Sequence, residues 1–223
     1  MKRTLLLIFP VLLLSSCKKD NNGHIAETII KGSKWNLKIG SSYPDVYAQL
    51  QQLGIDKGFS TVAIVGQQPI SKLQDLQHRL EFYHAITLEK NTERIESVRI
   101  QFKTDKVNSI EAGGALPDEI LRWPQDIPDQ MAIHKDDPIS EIYNKLVAIN
   151  QLPAYSNNYK FILPDKPLNK PFDPVMINYD EWFIYFSINV EAGLVGASNI
   201  GLYFKDGKLN KILYTYNEGE VFN

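Results

Sequence analysis

The chain has 223 residues, 24 of them Lys or Arg and 26 Asp or Glu, for a formal charge of −2 at pH 7. That balance, spread without a basic cluster, argues against nucleic acid as a partner. Hydrophobic residues at 43% and aromatics at 11% describe a globular chain able to bury one large core or two small ones.

Lys2 and Arg3 form a basic start, residues 5–14 an apolar stretch too short to span a bilayer, and Leu14-Ser15-Ser16-Cys17 a small-residue cleavage site. This run resembles a bacterial lipobox. The resemblance implies that residues 1–16 are a lipoprotein signal peptide and that Cys17 is lipidated and becomes the mature N-terminus. Losing Lys2 and Arg3 moves the formal charge from −2 to −4. Cys17 is the only cysteine, so no internal disulfide can staple the exported part and its core must carry the stability. Lys18 in the second mature position implies, by resemblance to bacterial sorting rules, the outer membrane. The Lys18-Lys19-Asp20 cluster also resembles surface-export signals, so the periplasmic face and the cell surface both stay open. Residues 17–24 are polar and read as a tether.

In chain order, Tyr43, Val46, Tyr47, Leu50 and Leu53 fall on one helical stripe, capped by Ser41 or Ser42 and stopped by Gly54. Residues 61–65 are a weak strand. Residues 82–89 alternate with period two, placing Phe82, His84, Ile86 and Leu88 on the inner side and Tyr83, Ala85, Thr87 and Glu89 on the outward, solvated side. A hairpin follows with Thr104-Asp105 at its tip, and parity slips between Val107 and Ile110, which predicts a bulge. Residues 115–131 contain prolines together with Trp123 and Ile127, a linker packed onto its neighbours.

The same series then repeats. Ile139, Ile142, Tyr143, Leu146 and Ile149 stand 96 positions after the first stripe, with Asp137-Pro138 as the helix start and Pro153 as its stop. Residues 161–163 are a weak strand, and residues 163–174 carry four prolines. Trp182, Ile184, Phe186 and Ile188 alternate with Phe183, Tyr185, Ser187 and Asn189. Asp206-Gly207 tips a second hairpin, with a second parity slip between Leu209 and Ile212. The run 100–110 matches 202–212 without a gap. The expected fold class is α+β, two tandem repeats of 25–114 and 132–223, each a helix packed on its own three- or four-stranded antiparallel sheet.

Gly40, a polar cap, a short helix ending in Leu53-Gly54, an aromatic strand and the Phe204-Lys-Asp-Gly-Lys-Leu209 hairpin resemble the outer-membrane lipoproteins of the SmpA/OmlA (BamE-like) type and their tandem-copy relative, the β-lactamase inhibitor protein. Asp136 replaces Gly40 in the second copy. The resemblance implies a cell-envelope protein that binds another protein and is not an enzyme.

Aromatics on a solvent face point to something lying on it. Phe183, Tyr185 and Tyr203 form such a face, which Tyr214 and Tyr216 extend. The cover is the linker, or residues 25–37, or a partner protein. The proline-rich stretch adds Asp165 and Phe172 as candidate contacts, either in a stiff docking loop or in a spacer. Two further readings are an inhibitor or immunity-type lipoprotein against a secreted hydrolase, and a glycan or small ligand bound on the exposed aromatics. His78, Glu81 and His84 do not have metal-site spacing, and His24 and His134 stand alone. Asp136-Asp137 reads as a helix cap. No catalytic elbow, phosphate loop or dinucleotide fingerprint is present, so neither a metal nor a cofactor is expected.

Overall fold

A computed structural model describes residues 23–90, 96–114, 116–191 and 193–220. The signal peptide, Cys17 and tether residues 18–22 lie outside the described residues. The elements are β1 (Ile25–Ile29), β2 (Ser33–Lys34), β3 (Leu37–Lys38), α1 (Tyr43–Lys57), β4 (Thr61–Ile64), β5 (Ala85–Lys90), β6 (Ser97–Lys103), β7 (Lys106–Gly113), β8 (Asp118–Ile120) and β9 (Arg122–Trp123). There follow β10 (Ile133–His134), α2 (Ile139–Asn150), β11 (Tyr159–Ile162), β12 (Lys166–Pro167), β13 (Glu181–Glu191), β14 (Leu194–Lys205) and β15 (Lys208–Glu220).

α1 forms where the stripe predicts, and all five stripe residues are buried. Each such burial contributes roughly 1.5–3 kcal/mol. Ser42 caps it: its hydroxyl accepts from the Asp45 amide, and the Asp45 carboxylate accepts from the Ser42 amide at 3.3 Å, a reciprocal capping box. Gly54 does not stop the helix. The chain continues to Lys57 and turns at Gly58, whose φ of 79° needs a residue without Cβ. In α2, Ile142, Leu146 and Ile149 are buried, but no side chain caps the N-terminus. Asp137, expected as that cap, instead accepts from the His134 amide at 2.6 Å and from Lys145 Nζ at 2.6 Å, pinning the preceding loop to the helix flank.

The long strands make two antiparallel sheets, a six-stranded one ordered β1-β15-β14-β13-β4-β12 and a five-stranded one ordered β11-β5-β6-β7-β8. The two parity slips are bulges. Phe102 pairs with Val107 but Gln101 with Ser109, leaving Asn108 extra, and Phe204 pairs with Leu209 but Tyr203 with Lys211, leaving Asn210 extra.

The expected α+β class, with each helix on its own half's sheet, is overturned. The fold is mostly β with two α-helices among the described residues, and each helix packs on the sheet from the other half. α1 shares a core with Trp182, Ile184 and Phe186 of β13, Ile200, Leu202 and Phe204 of β14, and Ile212 of β15. α2 shares one with Ile86 and Leu88 of β5, Val98 and Ile100 of β6, and Ile110 of β7. One core therefore draws on residues 29–64 and 168–216, and the other on residues 70–163.

Each exchange is held by the same backbone contacts. The Gly40 amide donates to the Leu209 carbonyl and the Leu209 amide to the Ser41 carbonyl, both at 2.8 Å. In the other pair the Asp136 amide donates to Val107 and the Val107 amide to Asp137, both at 2.9 Å. Gly40 and Asp136 both adopt positive φ, 90° and 71°. The residue three positions before each helix therefore keeps one unusual conformation despite the change of side chain.

Candidate functional site

Strand alternation sorts the aromatics of the six-stranded sheet. Trp182, Ile184 and Phe186 face α1 at 0%, 1% and 6% exposure, while Phe183 and Tyr185 face away at 36% and 57%. Register sets their neighbours. Phe183 stands between Ala63 of β4 and Gly201 of β14, and Tyr185 stands opposite Asn199. A Cβ on Gly201 would lie 3.0 Å from the Tyr203 ring, so that ring lies across the glycine and extends the apolar surface beside Phe183. Lys211 Nζ sits 3.9 Å above the centre of the Tyr203 ring. Desolvation and the neighbouring Glu181 raise the Tyr203 phenol above its usual range. Val65, 42% exposed, donates its amide to the Glu181 carbonyl and adds an aliphatic edge.

The structure thus brings Phe183, Tyr185 and Tyr203 together on an uncovered sheet face. Residues 25–29 do not lie over this face, because β1 pairs edge to edge with β15. Trp123 is buried in the other core. Tyr214 and Tyr216 pair with Ile200 and Ser198, which places them on the opposite side of the sheet. Tyr214 is 7% exposed with Trp35 edge-on at 5.1 Å. Tyr216 packs across Gly196 and donates to Glu218 at 3.0 Å. Phe172 is a half-buried core contact, 5.5 Å from Tyr47. Asp165 is exposed beside Gln67 and Gln68, in the crevice where the chain passes between the two cores.

The proline-rich stretch is largely built into the interior, which its composition hides. Lys166 and Asp173 are 0% exposed and Leu168 5%. Lys166 Nζ donates to Tyr47 Oη at 2.7 Å and to the Pro167 carbonyl at 2.9 Å. Asp173 Oδ2 accepts from Arg79 Nη2 at 2.8 Å, Arg79 Nε at 3.1 Å and Tyr83 Oη at 2.9 Å, and its Oδ1 accepts from the Val175 amide. Burial pushes the Lys166 ammonium down to about 7, against the pull of Asp173. Burial likewise raises the Tyr47 and Tyr83 phenols. A near-neutral lysine is a competent nucleophile in an open site. Sealed under two tyrosines it meets no substrate, so the cluster acts as a polar clasp between the cores.

Tyr83, expected on the outer side of a strand, is 0% exposed because Leu80–Phe82 is a 3-10 turn and β5 begins only at Ala85. His78 and Glu81 lie before that strand, and His84 pairs with Asn169 at 2.7 Å. Among the described residues, no group of three or more His, Cys, Asp or Glu side chains could hold a metal ion, and no helix is long and apolar enough to cross a membrane. Comparison with family models, curated proteins and solved structures returns no significant match.

Proposed function

We propose that this chain is a lipid-anchored cell-envelope protein, attached to the outer membrane through Cys17, that binds another protein without catalysis. The observation carrying this reading is the Phe183-Tyr185-Tyr203 face. Its large side chains expose apolar area on a hydrogen-bonded sheet, with Lys211 and Glu181 beside Tyr203. Aromatic anchors on a rigid backbone lose few rotors on docking, and a polar surround matches the usual anatomy of interfaces. The lipobox adds the anchor, and the likeness to the SmpA/OmlA lipoproteins adds a binding role.

A photo-crosslinking residue placed at Tyr185 in the membrane-anchored protein, followed by mass spectrometry, tests the reading. One discrete protein adduct that disappears when Phe183 is changed to Ser is the expected result. Absence of any protein adduct at Tyr185 defeats it. Cys17→Ser should release the protein from the membrane fraction, and retention there would remove the anchor from the proposal.

A further inference from the structure

A second surface feature lies in the other core and has a different chemistry. An open cleft of about 550 Å³ runs between the β8-β9 segment and the loop joining α2 to β11. That volume lies within the range of about 300–1,000 Å³ usual for small-molecule sites. Three rings form its apolar part. Tyr155 and Tyr159 are nearly parallel, at 12° with centres 6.2 Å apart, and Trp123 stands almost perpendicular to both, at 85° and 87°. Trp123 is 7% exposed and belongs to the buried core, so the aromatic wall is anchored from beneath. Tyr155 Oη donates to Asp126, which fixes that ring further.

The polar part is dominated by acceptors. Among the described residues, Glu96, Asp118 and Asp126 line the cleft, with Lys90 the one ammonium, bound to Glu96 at 2.8 Å. Three carboxylates against one lysine disfavour a phosphate or carboxylate ligand. A purely aliphatic guest would strip water from the carboxylates and return no hydrogen bond. A quaternary ammonium clamped between Tyr155 and Tyr159 is disfavoured as well. A guest held between two parallel rings needs roughly 7–8 Å, two contact distances of about 3.5–4 Å, and Tyr155 and Tyr159 stand closer than that.

A ligand with one apolar face and a ring of hydroxyl donors fits both halves of the site. We infer that the Trp123-Tyr155-Tyr159 cleft binds a neutral pyranose sugar, free or as a unit of a glycan. Its C–H face rests on Tyr155 and Tyr159, backed by the buried Trp123, and its hydroxyls donate to Asp118 and Asp126. The site is independent of the sheet face proposed for protein binding, and either can fail without the other.

The test uses purified protein and methyl glycosides of glucose, galactose, mannose and N-acetylglucosamine, with cellobiose and chitobiose as two-unit probes. Saturation-transfer NMR finds the binder and calorimetry gives its Kd. The expected result is saturable binding of at least one probe, weakened about tenfold or more in Asp118→Asn/Asp126→Asn, the loss that follows when hydrogen bonds to charged acceptors are weakened. Both carboxylates lie on exposed residues, so the variant should keep its melting temperature, and Tyr159→Phe should retain most of the affinity because the ring remains. No saturable binding by any probe overturns the inference. So does binding unchanged in the double variant, or saturable binding of choline in place of the sugars.

Discussion

Lys166→Met isolates the electrostatic consequence of burying one ammonium. In the native state this group loses its proton near pH 7, whereas an unfolded chain keeps it to about 10.5. Between those values the unfolded state binds more protons, so stability must rise with pH across the window. The penalty is fully present below pH 7 and is relieved as pH climbs toward 10.5. With these two pKa values, the linkage relation gives a gain of about 3 kcal/mol for the parent protein between pH 7 and pH 9.5. Methionine has a similar length and no proton to lose. It gives up the donation to Tyr47 Oη and the Pro167 carbonyl, worth about 1 kcal/mol each, but that loss is nearly the same at both pH values.

The quantity to read is therefore a difference of differences. Urea unfolding of parent and Lys166→Met at pH 7 and at pH 9.5 cancels the titrating groups remote from Lys166. Relative to the parent, the variant should lose about 3 kcal/mol of its standing as pH rises. On the scale of 2–4 °C per kcal/mol for a chain of this size, that is a relative change of roughly 6–12 °C in Tm. A gap between the two proteins that stays constant with pH would mean the ammonium keeps its proton in the folded state. Lys166 would then be a buried, charged ammonium and not a group neutralised by burial.

Asp173→Asn should destabilise by about 3–5 kcal/mol, because Arg79 is left as a buried cation without its counter-ion; a melting temperature within a degree or two of the parent would mean water reaches the guanidinium. Phe183→Ser with Tyr185→Ser should leave stability within about 1 kcal/mol, as expected for exposed sites, and a large fall in Tm would mark the face as internally covered. Gly54→Ala should lower stability by roughly 1–3 kcal/mol in chemical denaturation. The added Cβ would meet the Phe59 carbonyl oxygen at 2.5 Å, and backbone cannot yield as a side chain can; a gain toward the ~1 kcal/mol helix-propensity advantage of alanine would refute that.

Local structure was legible because its signals are periodic. The five-residue stripe of α1 is buried as read, and the two bulges fall where strand parity slips. The readings that failed depended on three-dimensional address. Tyr83 has the parity of an outward residue, but a 3-10 turn carries it into the interior. Lys166 sits among prolines, a composition that reads as an exposed spacer, yet β12 pairs with β4 and takes the lysine inside. The sheet face was legible only in part. Phe183, Tyr185 and Tyr203 share one side, while Tyr214 and Tyr216 fall on the other because a bulge shifts β15 by one residue. The Trp123 cleft joins residues more than thirty positions apart, and no short motif marks it.

Side-chain size was the signal that could have predicted which helix meets which sheet. α1 presents Tyr43 and Tyr47, and its core contains Trp182, Phe186 and Phe204, with Tyr43 stacked on Phe204 at 4.1 Å and tilted on Trp182 at 5.6 Å. α2 buries Ile142, Leu146 and Ile149 against Ile86, Leu88, Val98, Ile100 and Ile110, with Phe102 and Phe161 the aromatics of that sheet. An interior packed near crystal density tolerates little mismatch in volume. Pairing the tyrosine helix with the less aromatic sheet would bring more bulk to one core and less to the other. The backbone docking of Gly40 on Leu209 and of Asp136 on Val107 is nearly identical in geometry, so it can hold either helix against either hairpin and does not choose between them. Hydrophobic periodicity gave both halves one pattern. The greater aromatic bulk shared by α1 and the β13–β15 sheet is the feature that matches the crossed arrangement.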